Sequence, residues 1–292
     1  MLELKSISKS FKANFWNKKQ KVLDQINLEI PEGKIVGFVG KNGCGKTTTI
    51  KIILGIIKPD SGKVTYSSKL GIGRKEVFNK IGYLPENPKF FENLTGRSFL
   101  SLMGKLHKLS EETIENEIVK FSKRLDVLDA LNKQVGKYSK GMKQKIGFIS
   151  AIIHKPKLVI LDEPLSGLDP VSRRIFKNIL LELKSEGVSF LITSHILEDL
   201  FEVGDQIIYM KNGKVEKCLE SKADNAYLLY ELLKKPKLNL GQYVFRVVSH
   251  NDEKISCIIE EKNRIKFLEL NMIRSEDILK IERLRFELPE YK

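Results

Sequence analysis

A glycine-rich segment between residues 40 and 47 has the residue types and the spacing of a phosphate-binding loop. It fits the pattern Gly-x-x-x-x-Gly-Lys-Thr. The glycines allow backbone N–H groups to approach phosphate oxygens closely. Lys46 adds a positive charge for the β- and γ-phosphates of a nucleoside triphosphate, and Thr47 offers a hydroxyl to Mg²⁺. The residues expected at the nucleotide are Gly40, Asn42, Gly43, Cys44, Gly45, Lys46, Thr47 and Thr48.

Three more polar side chains follow apolar segments that are typical of buried strands. Asp162 and Glu163 come directly after residues 158–161, and His195 follows residues 188–194. Open parallel sheets bind ligands at the carboxyl ends of their strands, so we expect these side chains near the phosphate loop. Asp162 would hold Mg²⁺, Glu163 would orient or deprotonate an attacking water, and His195 would donate to the γ-phosphate. The expected catalytic residues are Glu163, His195 and Lys46.

Each of these assignments has a structural alternative. Adjacent acids after a strand also serve as loop charges or helix caps, and a single histidine is commonly a structural residue. Cys44 is expected to be a small filler in the loop rather than a redox group. The phosphate loop favours the functional interpretation of the two acids and of His195. The other histidines, at positions 107, 154 and 250, lack such a context and are expected to be structural.

The periodicity of apolar residues predicts the elements that position these groups. Residues 35–39 predict a buried strand, and a helix is expected to begin near residue 45. Alternation over residues 2–7 and apolar residues at 23–30 indicate two antiparallel strands, and helical spacing indicates an inserted helical subdomain at about 90–155. The predicted fold class is α/β. It comprises a P-loop NTPase core with a mixed sheet, an N-terminal antiparallel β subdomain, the helical subdomain and a small C-terminal α+β appendage.

The C-terminal part of the chain is predicted to be separate from the site. We expect a nucleotide-binding domain at residues 1–235 and an appendage at residues 236–292. The pattern predicts a helix at 226–235, at the end of the first domain. In the appendage it predicts strands at 243–248, 255–259 and 265–270, and a short helix at 275–281. Because the appendage contains no phosphate motif and its charges balance, we expect no catalytic role for it. It would be a regulatory or dimer-stabilising contact, or a structural extension.

Composition narrows the possible functions. The 292-residue chain is 41% hydrophobic and 30% charged, and no stretch reaches the roughly 18 apolar residues of a membrane-spanning helix. No signal-peptide pattern is present, so we expect a cytoplasmic chain. The three cysteines match no metal spacing and suggest a reducing compartment. The net charge of +14 suits nucleic acid, anionic lipid or nucleotide, but arginines do not cluster with aromatics, so direct nucleic-acid binding is not expected.

The order of the motifs resembles the nucleotide-binding subunit of ATP-binding cassette (ABC) transporters, from residue 2 to about residue 216. The phosphate loop matches Walker A, and the acids at 162 and 163 match the end of Walker B. Residues 138–142 match the signature motif of that family, residues 166–169 match its D-loop, and His195 matches its switch histidine.

Two further positions match less specifically. Phe11 lies where the family has an aromatic residue that stacks on adenine, with ordinary core packing as the alternative. Glu86 lies where the family usually has the Q-loop glutamine, and it puts a carboxylate near the metal and the attacking water.

The resemblance implies ATP hydrolysis with Mg²⁺ as cofactor. Two nucleotide-binding subunits, identical or different, would face each other head to tail. Ser139 and Gly141 of one would then contact the γ-phosphate held at Lys46 of the other. Transmembrane permease subunits would be the other partners, and they would place the chain at the cytoplasmic face of the cell membrane. The residues implied as metal ligands are Thr47, Glu86 and Asp162.

Departures in the signature refine this hypothesis. Lys140 and Met142 replace the usual glycine and glutamine, and this variant resembles bacterial exporters of drugs, lipids, polysaccharides or peptides. Three alternatives are a soluble cassette ATPase acting on nucleic acid or ribosomes, a regulatory module that binds ATP without turnover, and a P-loop kinase. The first usually has a tandem cassette or a long coiled-coil insertion, which this sequence lacks. The intact catalytic residues disfavour the second, and the signature and His195 disfavour the third.

Overall fold

The computed structural model describes residues 1–12, 19–196, 199–200, 202–220, 227–233, 244–250, 254–260 and 278–284. The chain divides into two compact units, Met1–Cys218 and Leu219–Lys292. The first unit ends earlier than the predicted domain boundary at residue 235.

The described strands that begin in the first unit are β1 (Leu2–Phe11), β2 (Gln20–Ile30), β3 (Ile35–Val39), β4 (Ser61–Tyr66), β5 (Ile81–Leu84), β6 (Leu158–Asp162), β7 (Ser189–Ser194), β8 (Gln206–Lys211) and β9 (Lys214–Glu220). Its described α-helices are α1 (Lys46–Ile53), α2 (Arg74–Asn79), α3 (Gly96–Leu106), α4 (Glu111–Arg124), α5 (Lys140–Ile152) and α6 (Pro170–Ser185). Short 3₁₀ turns occur at Ser68–Leu70, Leu128–Ala130 and Val135–Lys137.

The N-terminal strands form a small antiparallel sheet in the order β2-β1-β4. Leu2 and Leu4 are buried as alternate residues of β1, and an irregularity in the pairing between Leu4 and Ile7 turns Ile7 to the buried face as well. Leu4 pairs with Leu28 of β2. The predicted antiparallel opening is therefore confirmed.

A six-stranded sheet in the order β5-β6-β7-β3-β8-β9 forms the core beside the site. The first five of these strands run parallel to their neighbours, and every residue of β3, β6 and β7 is buried. The register pairs Val39 with Ser194 and Asp162 with Thr193. The carboxyl ends of three adjacent strands are therefore level, and the phosphate loop, the two acids and His195 all follow at that edge.

The inserted helices begin at side-chain caps. Thr95 accepts a hydrogen bond from the Ser98 N–H at 3.1 Å, and Ser110 accepts one from the Thr113 N–H at 3.2 Å. These caps start α3 and α4. The helical prediction for this stretch is confirmed, and its apolar face at Ile114, Ile118, Phe121 and Leu125 is buried.

The described part of the second unit is a four-stranded antiparallel sheet. Its strands are β10 (Tyr227–Leu233), β11 (Val244–His250), β12 (Lys254–Glu260) and β13 (Ile278–Leu284). Their order is β11-β12-β10-β13. The strand predictions at 243–248 and 255–259 are confirmed within one or two residues, and the one at 265–270 lies outside the described residues.

Both helix predictions in this unit are wrong where the structure describes them. The predicted helix at 226–235 is strand β10, and the predicted helix at 275–281 overlaps strand β13. Leucine-rich spacing favours a helix locally, but β10 pairs with β12 on one side and β13 on the other. Two ladders of backbone hydrogen bonds outweigh a helix propensity of a few tenths of a kcal/mol per residue, roughly.

In the described ranges, none of the helices combines the length and the apolar character needed to cross a bilayer.

Candidate nucleotide-binding site

The loop between β3 and α1 is shaped by its glycines. Gly43 and Gly45 have φ angles of +80° and +114°, in the region that favours glycine. A Cβ atom at Gly40 would lie 2.4 Å from the backbone oxygen of Met210 in β8, so the loop packs directly against that strand. Helix α1 begins at Lys46, directly after the loop. Its free N–H groups therefore lie at the loop and can bind an anion there.

Lys46 is held inside the loop by backbone oxygens. Its Nζ donates to Gly40 O at 2.6 Å and lies 3.4 Å from Lys41 O, and the residue is 7% exposed. No carboxylate in the described part of the chain forms an ion pair with it. A buried ammonium with only carbonyl partners is well suited to bind a phosphate, since charge burial is costly without an opposite charge.

Asp162 connects the phosphate loop with the neighbouring strand. Its Oδ2 accepts from the Thr47 hydroxyl at 3.0 Å, and its Oδ1 accepts from the Thr193 hydroxyl at 2.6 Å. The carboxylate and the Thr47 hydroxyl together offer hard oxygen ligands of the kind that Mg²⁺ takes alongside substrate phosphates. Among the described residues, no group of three or more His, Cys, Asp and Glu side chains is arranged to hold a metal ion by itself. The donor set therefore fits Mg²⁺ bound jointly with phosphates rather than in a protein cage.

The charge on Asp162 also acts on a tyrosine of the adjacent strand. Burial, together with the nearby Asp162 carboxylate, raises the pKa of Tyr83 to about 12. The Tyr83 phenol is therefore neutral at physiological pH.

Glu163 has a strained backbone that three hydrogen bonds hold in place. Its φ angle is +50°, which is uncommon for a residue other than glycine. Its N–H donates to Thr193 Oγ1 at 2.9 Å, and its carbonyl accepts from Gln144 Nε2 at 3.1 Å and from the Ser166 N–H at 3.2 Å. The position of this backbone is therefore fixed from two neighbouring elements and from its own turn.

The Glu163 side chain uses one of its two oxygens. Oε2 lies 2.7 Å from His195 Nδ1, whereas Oε1 is buried without a hydrogen-bond partner among the described residues. Buried polar atoms are nearly always hydrogen-bonded, so this oxygen can accept a further hydrogen bond.

One pocket of about 360 Å³ gathers most of the expected residues. Its lining comprises Val22, Asn42, Gly43, Gly45, Lys46, Thr47, Thr48, Glu86, Asp162 and Glu163. Gly40 and the buried Cys44 pack against each other within the loop and do not line this pocket. His195 lines an adjacent pocket that also contains Glu163.

The remaining predicted residues lie elsewhere on the same unit. Phe11 ends β1, is 39% exposed and has Lys9 Nζ 5.6 Å from its ring centroid, but it does not line the pocket. Ser139 caps α5 by accepting from the Met142 N–H at 3.2 Å. Neither Ser139 nor Gly141 lines the pocket of their own chain. This placement is compatible with a contact to nucleotide on another subunit.

Sequence reasoning missed two residues that hold the acids. The Thr193 hydroxyl donates to Asp162 and accepts from the Glu163 N–H, and the buried Gln144 donates to the Glu163 carbonyl. A hydroxyl within the apolar run before His195 was the available signal for Thr193. No local signal identifies Gln144, because its partner lies 19 residues away in the sequence.

We compared the chain with family models and with known proteins. The ABC transporter family model matches residues 23–166. ABC transporter ATP-binding protein NatA of Bacillus subtilis is 34% identical over 237 residues, which cover 79% of this chain and 92% of NatA. This chain belongs to the ABC transporter family. The bacitracin transport ATP-binding protein BcrA of Bacillus licheniformis is 36% identical over 198 residues, covering 67% of this chain and 64% of BcrA.

Solved structures of ABC cassettes share the fold. An ATP-binding subunit of an ABC transporter superposes with a TM-score of 0.67 at 31% identity, covering 74% of this chain and 88% of that one. A dimeric ATP-binding cassette in a post-hydrolysis state with ADP and Pi gives a TM-score of 0.69 at 24% identity, covering 76% of this chain and 100% of that one. The predicted α/β fold with a P-loop NTPase core is therefore confirmed.

The match is partial for several relatives. An uncharacterized ABC transporter ATP-binding protein of Synechocystis sp. is 36% identical over 218 residues, 74% of this chain but only 61% of its own length. The chain thus spans less than two-thirds of that relative and of BcrA.

Proposed function

We propose that this chain is an ATP-hydrolysing subunit that powers transport across a membrane. The observation that carries the proposal is one pocket lined by Lys46, Thr47, Asp162 and Glu163, next to a buried Glu163 oxygen with no partner among the described residues. A phosphate cradle, hard oxygen ligands and a free carboxylate oxygen are the parts that nucleotide hydrolysis requires. The names of two relatives, BcrA and NatA, support transport as the process that ATP hydrolysis powers.

Binding of ATP would rest on the loop and on Lys46. Backbone N–H groups at the start of α1 would donate to the phosphate oxygens, and the helix terminus would favour their negative charge. Lys46 would exchange part of its carbonyl bonding for a charge-assisted bond to the β- and γ-phosphates. Thr47 and Asp162 would hold Mg²⁺, with Glu86 at the rim of the same pocket as a further oxygen ligand. When bound there, Mg²⁺ supplies positive charge to the β- and γ-phosphate oxygens.

Hydrolysis would use the two oxygens of Glu163 for different purposes. His195 holds Oε2, which fixes the carboxylate and leaves Oε1 to accept a hydrogen bond from the attacking water. The water oxygen bonds to the γ-phosphorus as the bond to the β–γ bridging oxygen breaks, and Glu163 receives the water proton. The products are ADP and phosphate. Thr193 and Gln144 keep the Glu163 backbone in position throughout.

The finer parts of the proposal concern partners and direction. A second nucleotide-binding subunit, identical or different, would place its Ser139 and Gly141 against the γ-phosphate, because these residues lie off the pocket of their own chain. The solved cassette with this fold that contains ADP and Pi is a dimer. Transmembrane permease subunits would hold the pair at the cytoplasmic face of the cell membrane. Export is the proposed direction, supported by the signature variant and by the likeness to a bacitracin transport protein.

The test compares the wild-type chain with Lys46→Ala. Wild type should bind a fluorescent ATP analogue and release phosphate from ATP with Mg²⁺. Loss of one charge-assisted contact should weaken binding by roughly 10- to 100-fold. Lys51→Ala removes an exposed lysine from α1, the helix that also contains Lys46, and should change neither nucleotide binding nor phosphate release. Equal nucleotide binding by wild type and Lys46→Ala would contradict the proposed site.

A further inference from the structure

One face of helix α5 contacts the segment that follows strand β6 at two points. Lys140 Nζ donates to Ser166 Oγ at 2.8 Å, and Gln144 Nε2 donates to Glu163 O at 3.1 Å. Lys140 and Gln144 are four residues apart, so they lie one turn apart on the same side of the helix. The helix that begins in the signature motif is therefore attached to the residues that carry the Glu163 carboxylate.

The contact at Lys140 extends along its side chain. A Cβ atom at Gly167 would lie 3.0 Å from Lys140 Cδ and 3.2 Å from Cγ, so the lysine stem lies directly over this glycine. Gly167 has a φ angle of +77°. Close by, a Cβ atom at Gly141 would lie 2.9 Å from Gly167 O. The start of α5 and residues 166–167 thus approach each other as closely as glycines allow.

Residues 163–166 form a turn that transmits this contact to Glu163. The Ser166 N–H donates to Glu163 O at 3.2 Å, closing the turn. Glu163 itself has a strained φ angle of +50°, and such a conformation persists only when its surroundings hold it. Lys140 fixes the far end of the turn while Gln144 fixes the near end.

We propose that Lys140 is a positioning residue for Glu163, acting through its hydrogen bond to Ser166. This inference rests on the proposed function, in which Glu163 acts on the attacking water. Lys140 lies between Ser139 and Gly141, which would contact the partner subunit's nucleotide. Its bond to Ser166 therefore joins the signature of a chain to the catalytic carboxylate of the same chain. A movement of the signature residues at the partner subunit's nucleotide would therefore change the orientation of the Glu163 carboxylate at the nucleotide of its own chain.

The kinetic test is a double-mutant cycle on the full chain. Lys140→Met keeps the stem over Gly167 but removes the donor, and Ser166→Ala removes the acceptor. Each should lower kcat by roughly three- to tenfold, the effect of one hydrogen bond, with the KM for ATP within about twofold of wild type. The double variant should be no slower than the slower single variant. Lys140→Arg retains a donor and should restore most of the activity, and Lys137→Met removes a nearby exposed lysine and should have no effect.

Two kinetic results would overturn the inference. Multiplicative losses in the double variant would show that Lys140 and Ser166 act independently. A raised KM with unchanged kcat in Lys140→Met would place this lysine at the nucleotide instead.

Hydrogen–deuterium exchange tests the contact without any need for turnover. In Lys140→Met, amides of residues 163–168 should exchange roughly three- to tenfold faster than in wild type or Lys137→Met. Unchanged exchange in this segment would refute the positioning role. A wild-type chain that does not hydrolyse ATP would instead refute the proposed function, and the exchange result would still decide whether Lys140 holds the turn.

Discussion

His195 Nδ1 lies 2.7 Å from Glu163 Oε2, so the carboxylate that would act on water is oriented by the histidine at the end of the next strand. The His195 side chain is about half exposed, whereas that of Glu163 is nearly buried. Because Nδ1 faces Glu163, a hydrogen bond from His195 to nucleotide would use Nε2.

Two substitutions of His195 should separate its effect on the orientation of Glu163 from its contact with nucleotide. His195→Asn places an amide nitrogen near the position of Nδ1 and should keep Glu163 oriented while losing the far nitrogen. His195→Ala loses both, so its turnover should fall by roughly 10- to 100-fold and that of His195→Asn by less. ATP binding should be retained in both, as measured by equilibrium titration. Equal turnover by His195→Ala and wild type would remove His195 from the mechanism.

Glu86 should tune metal dependence rather than supply the base. It is exposed at the rim of the nucleotide pocket, and a glutamine amide oxygen in its place can still coordinate a cation. Glu86→Gln should therefore retain kcat within a few-fold, roughly, while shifting the Mg²⁺ concentration for half-maximal activity. Asp162→Asn serves as the matched control and should be far more damaging. If Glu86→Gln abolishes hydrolysis and Glu163→Gln does not, the base has been assigned to the wrong carboxylate.

His154 should make stability depend on pH. Its ring stacks on that of His107, with centroids 3.8 Å apart and planes 9° apart. Burial, and then the charge of His107, lower the pKa of His154 to about 4. The folded state therefore binds the proton more weakly than the unfolded state, so stability is complete above the unfolded pKa and falls as the pH drops towards 4.

Urea unfolding of His154→Phe measures this contribution. Phenylalanine keeps a ring against His107 but cannot titrate. Between about pH 7.5 and about pH 5, wild type should lose on the order of 2 kcal/mol more unfolding free energy than the variant. An equal loss in both proteins would show that His154 is not the titrating group.

The two units suggest where the chain can be shortened. A chain ending at Glu220 keeps the first unit and should still bind ATP, since the pocket lies entirely within it. A chain ending at Lys235 would keep β10 without β12 and β13 and expose both of its edges, so it should aggregate more. Light scattering and nucleotide titration on the two chains test this prediction. Failure of a folded chain ending at Glu220 to bind nucleotide would show that the second unit contributes to the site.

The site was largely predictable because its parts follow local rules. The loop spacing and the apolar strands predict that Lys46, Asp162 and His195 follow the ends of neighbouring parallel strands, and the structure places them there. Their chemical roles remain predictions. The contacts of Gln144 and Lys140 could not be predicted, because they join segments 19 and 26 residues apart without a recognisable spacing.

The second unit shows the opposite case. The leucines of β10 have a spacing that suits a helix as well as a strand, and only the partners on both sides decide between them. These partners are residues 254–260 and 278–284, which are distant in the sequence. Propensity and periodicity, being local, were therefore misleading at this strand.

The most direct test of the account is gel filtration of Glu163→Gln with ATP and Mg²⁺, with nucleotide content and phosphate release measured in the eluted peak. The variant keeps the Lys46 cradle but has lost the carboxylate that would accept the water proton. We predict a dimer that retains ATP and releases phosphate about 100-fold more slowly than wild type. A monomer with near-normal turnover would contradict both the role of Glu163 and the head-to-tail pair.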